Sequence, residues 1–255
     1  TVPRAGDFVI TEANQIDLNS ATPALAGVQL DGFDVNINPG GNLNVTGNLF
    51  NHTDNIDLIN SGTISGTGTL YNLSFLASTG TASSILIGSI ENHSSMIWAE
   101  FISSGAASFT VSGAVNNYGT QWFFTPTPSS NTVNYTGGFQ NLGYFQVNTA
   151  NPLNLTGTFN NNSNAELNIT EGNVNLNTTT SNLGGVINVN VGSLLGLVGG
   201  TYNIENGLIL DGNFDFTNAS LVGTGGTFTT TALSMVLMDD PTITNLAWLN
   251  QGIVN

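Results

Sequence analysis

Along most of the chain, apolar residues recur at every second position in runs of three to six residues. Phe33-Asp34-Val35-Asn36-Ile37, Leu43-Asn44-Val45, Leu153-Asn154-Leu155, Leu167-Asn168-Ile169 and Val186-Ile187-Asn188-Val189-Asn190-Val191 all read this way. A period of two sends alternate side chains into a core and into water, the pattern of a half-buried strand. The connectors, such as Pro39-Gly40-Gly41, Thr170-Glu171-Gly172 and Gly199-Gly200, are short and made of turn residues. Gly and β-branched residues interrupt every candidate amphipathic helix, and the apolar run from Leu194 to Val198 is too short to be one.

A second, longer period overlies the first. The pentad Gly, any residue, apolar, any residue, Asn, as in Gly157-Thr158-Phe159-Asn160-Asn161, recurs down the chain. Its last position falls at Asn51, Asn72, Asn92, Asn117, Asn141, Asn161, Asn182, Asn206, Thr230 and Asn250, about 22 residues apart on average. Two residues earlier, nine of the ten positions are apolar, the exception being Thr180, and four residues earlier seven of the ten are Gly. A period of this length is the mark of a solenoid. Two or three short strands per repeat predict an all-β fold, a single parallel β-helix of about ten rungs, in which Asn residues stack as a ladder. Asn also tolerates the left-handed conformation of a corner. A β-sandwich needs turn signals every 8–12 residues and offers no reason for a fixed column ten deep. Residues 1–31 read as a terminal cap or irregular first turn, and residues 32–255 as the β-helix.

Composition narrows the setting. Charged residues are 7% of the chain, so Asn, Thr, Ser and Gly carry the polar surface. Arg4 is the only basic residue apart from two histidines, and the net charge is −15. That excludes nucleic acid as a partner, because phosphate binding rests on Lys and Arg. With no Lys and no Arg beyond Arg4, the chain almost lacks the sites of trypsin-like proteases, which points to a secreted or cell-surface protein. There is no Cys, hence no disulfide or thiolate metal site. No run of 18 apolar residues is present to insert in a membrane as a helix.

At this point the chain resembles a known group. Val2-Pro3-x-Ala5-Gly6-Asp7-x-Val9 resembles the opening of bacterial secreted β-helix domains. The repeats, as in Gly157-Thr158-Phe159-Asn160-Asn161 and Leu249-Asn250-Gln251-Gly252-Ile253-Val254-Asn255, look like those of filamentous-haemagglutinin-type and autotransporter-passenger-type surface proteins. The resemblance implies export and a rod-like, often adhesive, role. It implies no catalytic residues.

Candidate chemistry is sparse. His52 and His93 each follow a ladder Asn and fall two rungs apart, too far to share a metal ion. Asp211 and Asp215, four residues apart, are expected on one strand face, with Glu205, Asp239 and Asp240 as neighbours for a glycosidase pair. A structural role is the expectation for these acids, and the chain reads as a non-enzyme. Asp54, Asp57, Asp239 and Asp240 are weak calcium candidates, with no other cofactor expected. Aromatic residues concentrate between 98 and 145; Trp98 and Trp122, one rung apart, are expected to stack. With Phe124 and Tyr144 they form either core filling or a platform for surface glycans or a partner protein. Thr178–Thr180, Thr227 and Thr229–Thr231 read as local and out of rung register, which argues against a hydroxyl face matched to ice. Finally, Leu246, Trp248, Asn250, Ile253 and Val254 read as a rung cut off midway. Such an open end predicts self-association or continuation of a longer chain.

Overall fold

The computed structural model describes residues 3–11, 15–32, 34–52, 57–79, 82–99, 108–125, 131–149, 152–223 and 225–255, and, within these, all side chains but those at 82, 97–99, 123–125 and 131. The chain winds as a three-sided parallel β-solenoid. Each turn passes along face 1 (Asn42–Val45, then Thr63–Gly66), face 2 (Leu49–Asn51, then Thr69–Asn72) and face 3 (Asp57–Asn60, then Phe75–Thr79). Every strand pairs in parallel with its counterpart one turn away, as in Leu43 with Ile64, Leu49 with Leu70 and Leu58 with Leu76. Face 3 is a 12-stranded sheet, and faces 1 and 2 together form a 21-stranded sheet among the described residues. Faces 1 and 2 join because Asn131–Asn141 and Leu153–Asn161 run on around the corner between them. The register shift between Tyr135 and Phe139 marks that corner.

Alternation decides what lies inside. On face 2 the column Val28, Leu49, Leu70, Ile90, Val115, Phe139, Phe159 is fully buried. Each such side chain contributes about 1.5–3 kcal/mol by burial. Phenylalanines widen the core midway: Phe139 stacks on Phe159 at 5.4 Å, and Phe145 packs against both. Tyr202 continues this column one rung beyond Ser181. Its hydroxyl donates to the Leu176 carbonyl at 2.6 Å, and burial pushes its phenol pKa up.

The described strands before residue 32 already stack as solenoid. Phe8–Thr11 and Gly27–Leu30 pair in register on face 2, and Ile16–Leu18 pairs with Val35–Ile37 on face 3. The first passage along face 1 is irregular, held by the isolated bridges Ala21 to Asn42 and Leu25 to Val45 and by the Asn44 backbone N–H donating to the Thr22 hydroxyl at 3.0 Å.

Candidate functional site

The most ordered polar feature is internal. Asn51, Asn72, Asn92, Asn117, Asn141 and Asn161 occupy one core-facing column of face 2 and are fully buried. Each Nδ2 donates to the Oδ1 of the next: 2.8, 2.7, 2.6, 2.8 and 2.7 Å in order. The second amide hydrogen of each goes to a main-chain carbonyl one rung on, those of Phe75, Ser95, Thr120, Tyr144, Glu166 and Gly184. The ladder thus consumes all the donors of its inner members and fastens face 2 of one rung to the start of face 3 on the next. Asn51 Oδ1, the first acceptor, has no partner above Leu30.

Beyond Asn161 the ladder stops. Leu183 and then Ile204 take its column. Asn182 is exposed on the outer side of the same face, and Asn206 lies in the turn after Ile204. Thr230 and Asn250 belong to face 3, where the Thr230 hydroxyl donates to Asn250 Oδ1 at 2.7 Å. The six ladder residues are strand residues without positive φ; among non-glycine residues described, only Asn218, Asp240 and Asn245 are left-handed. Asn is selected here for its paired donor and acceptor, not for a corner conformation.

The expected aromatic platform divides. Tyr135, Phe139 and Phe145 are core. Trp122 is 39% exposed and points outward from face 3. Tyr144, also outward, donates its hydroxyl to Gln146 at 3.1 Å. The strand register sets Trp98 opposite Phe123, and Trp122 opposite Ile97, so the two tryptophans do not share a column. The side chains of Trp98 and Phe124 lie outside the described residues. One exposed aromatic contact that the pattern did not single out is His93 on Tyr118, stacked at 4.8 Å with Tyr118 49% exposed. Both follow a ladder Asn, so their proximity was implicit in the rung period.

The acidic residues are dispersed. Gly212, at φ 111°, turns the chain between Asp211 on face 3 and Asp215 on face 1, so these two do not share a strand face. Asp215 accepts from the Thr217 hydroxyl at 2.8 Å, and Asp211 from that of Thr231. Asp239 and Asp240 are exposed at the corner between faces 1 and 2. Asp54 lies outside the described residues. His52 Nδ1 is 3.5 Å from Asp31. Among the described residues, no group of three or more His, Asp or Glu is arranged to hold a metal ion.

Asp57 sits one rung above Asp34, whose Oδ1 accepts from the Asp57 backbone N–H at 3.1 Å. Partial burial, then the neighbouring Asp34 charge, raise the Asp57 pKa above the usual carboxylate value. An acid with a raised folded pKa destabilises the fold when ionised, so its penalty disappears as pH falls through that pKa. Asp57→Asn is therefore expected to raise the melting temperature slightly at pH 7 and to leave it unchanged near pH 3, where Asp57 is protonated folded or unfolded. A thermal melt series across pH 3–7 reads both ends; a lower melting temperature at pH 7 contradicts the assignment.

At the C-terminal turn, Trp248 stacks on Phe228 at 5.4 Å and donates Nε1–H to Thr230 at 3.0 Å. Leu246 packs against the core. Ile243 and Val254 occupy the core columns of Leu221 and Val236 but are 37% and 41% exposed. Ile253 pairs with Met235, which is exposed, and so faces outward instead of lining the end of the core. At the other end, Val9, Ile16, Leu18, Leu25, Val28 and Leu30 line an apolar cavity of about 480 Å³.

Compared with family models, curated proteins and solved structures, the chain matches none.

Proposed function

We propose that the chain serves as a structural rod outside the cell, a stalk or filament segment, and not as an enzyme. The observation that supports this reading most directly is the uninterrupted parallel stacking from Phe8 to Val254. Twelve strands on one face give a rod on the order of 50 Å long at a rung spacing of about 4.8 Å. The buried ladder from Asn51 to Asn161 suits a load-bearing spacer, because the rungs it joins cannot shift without breaking buried hydrogen bonds. The absence of Lys and the single Arg fit a protease-rich, extracellular setting. Negative charge along the rod opposes sideways clumping.

In this reading the rod is extended end to end. The half-covered Ile243, Trp248 and Val254 meet the apolar cavity around Val9 and Leu18 of a second copy. Electron microscopy and light scattering of the purified chain test it. Long uniform fibres that disappear in Ile243→Asp, with circular dichroism unchanged, are the expected result; short monodisperse rods at every concentration count against it.

A second reading, a glycan-binding adhesin, draws on the exposed Trp122 and Tyr118 and the half-buried Tyr144. It requires that Trp122→Ala abolish glycan binding without altering the melting temperature.

A further inference from the structure

The outer side of face 1 changes character along the rod. As far as Asn177 it carries polar groups that bond one another from rung to rung: Ser65 to Asn42 at 2.8 Å, Thr156 to Asn134 at 3.0 Å, Asn175 to Asn154 at 3.1 Å. From Leu194, which stands over Asn173, apolar residues enter these positions. Val198, Met235 and Leu237 are exposed there. Asp215 lies among them, one rung from Leu237, and Asp239 ends the strand that carries Met235 and Leu237.

At the edge of this patch, where face 3 turns into face 1, successive rungs differ in length. One rung makes the corner through a tight turn at 190–193, in which the Ser193 N–H donates to the Asn190 carbonyl at 2.9 Å. Two rungs on, a similar turn at 231–234 is closed by the Ser234 N–H on the Thr231 carbonyl at 3.0 Å. The rung between them passes the corner at Gly212 alone. The two turns therefore stand roughly 9.6 Å apart, twice the rung spacing. Between them lies a notch of about 340 Å³ lined by Asn190, Val191, Asp211, Gly212, Asn213 and Leu233. Turn tips ordinarily carry Gly, Asn or Ser. Here one tip carries the fully exposed Val191 and the other Leu233, 82% exposed. Asp211, between them, uses Oδ1 to accept from the Thr231 hydroxyl.

Apolar side chains exposed one at a time are ordinary. Leu233, Met235 and Leu237 are instead successive outward positions of one segment, with Val191 beside them across the notch, and contiguous apolar area marks a contact surface. Charge says what would cover it. Of the seven acids after residue 150, four border this corner and face: Asp211, Asp215, Asp239 and Asp240. A partner must bring positive charge next to apolar side chains. A second copy has only Arg4 to offer, and its loop is folded back on Asp7, whose Oδ2 accepts from the Arg4 backbone N–H at 2.8 Å. A Lys or Arg side chain matches the notch in both its parts, because the aliphatic stem packs between Val191 and Leu233 while the head reaches the Asp211 carboxylate. We propose that this corner is a docking surface for a different protein, which seats a Lys or Arg in the notch and covers Leu233, Met235 and Leu237 with apolar residues. The docking holds whether or not rods join end to end.

The test uses a fluorescent synthetic peptide, acetyl-Val-Lys-Val-Lys-Val-amide, titrated by anisotropy against the purified chain at about 0.15 M salt, where distant charges are screened. Saturable binding is expected. It is expected to weaken roughly tenfold or more in Asp211→Asn and in Leu233→Asn, both with unchanged circular dichroism, and on replacing lysine in the peptide by norleucine. Asp17→Asn removes an equal charge from an exposed position on face 3 near the other end of the rod, and is expected to bind as the wild type does. No binding by the wild type overturns the proposal. Weakening in Asp211→Asn no greater than in Asp17→Asn overturns it too, as general attraction to an acidic chain. Full binding of the norleucine peptide, or full binding by Leu233→Asn, shows that charge and apolar contact do not act together and overturns it as well.

Discussion

Asn117→Ala is expected to lower the unfolding free energy by about 3–6 kcal/mol. Asn117 Oδ1 accepts from Asn92 at 2.6 Å, and its Nδ2 donates to Asn141 at 2.8 Å and to the Tyr144 carbonyl at 3.0 Å. Alanine leaves a donor on Asn92 and an acceptor on Asn141 buried without partners, and each such group costs about 1–3 kcal/mol. It also leaves a void that neighbouring rungs cannot close, since their spacing is fixed by main-chain bonds. The same substitution is expected to cost less at the ends of the ladder. Asn161→Ala strands only the Asn141 donor and the Gly184 carbonyl, because Leu183 already stands next in the column. Asn51→Leu is expected to cost least. It removes an acceptor that is already unpartnered and extends the apolar contact with Leu30, while leaving Asn72 Oδ1 and the Phe75 carbonyl without their donor. Urea melts of the three variants test this order; equal costs at 51, 117 and 161 would show that the amides act independently.

The ladder was legible from sequence as far as Asn161 because one strand motif and a near-constant rung length coincide there. It was lost where Leu183 replaced Asn. A frame that keeps following Asn slips by one residue at Asn182, and one residue along a strand carries a side chain to the opposite side of the sheet. At Thr230 and Asn250 the frame moves to another face altogether. Phe228-x-Thr230 and Trp248-x-Asn250 obey the same inward alternation on face 3 as Leu70-x-Asn72 does on face 2. All three faces share one code, so apolar and polar order alone identifies a strand but not its face. On the outside of face 2 the stacked positions Thr180, Thr201, Ser220 and Thr242, and beside them Asn182 and Asn203, were hidden for a related reason. Their register follows from which strands pair, and rungs of unequal length scatter them along the sequence. The recurring Gly, by contrast, was legible, yet its cause was not, because most of its copies do not adopt positive φ.

What those glycines provide is room between rungs, and Gly68→Ala is expected to be the most damaging single methylation of this kind. A Cβ at Gly68 would lie 1.5 Å from the Gly47 carbonyl oxygen and 2.2 Å from its carbon, both main-chain atoms that no rotamer change can move aside. Gly47 itself admits a Cβ only at 1.9 Å from the Ala26 oxygen, and a Cβ at Gly137 would meet the Gly113 carbon at 2.3 Å, so the strain cannot be passed down the column. The two rungs must part. Parting them threatens the bond from Ser89 N–H to the Gly68 carbonyl, now 3.2 Å, and lifts Leu70 off Leu49 in the core beside it. Overpacking combined with a broken main-chain bond is expected to cost at least about 3 kcal/mol. Gly40→Ala separates this effect from glycine's conformational freedom. Gly40 has φ +87°, yet nothing lies within 4 Å of its would-be Cβ, so alanine there bears only the left-handed penalty of about 1–2 kcal/mol. If Gly68→Ala melts no lower than Gly40→Ala, rung contact is not what selects glycine at this corner, and the repeat would have to be explained by backbone conformation after all.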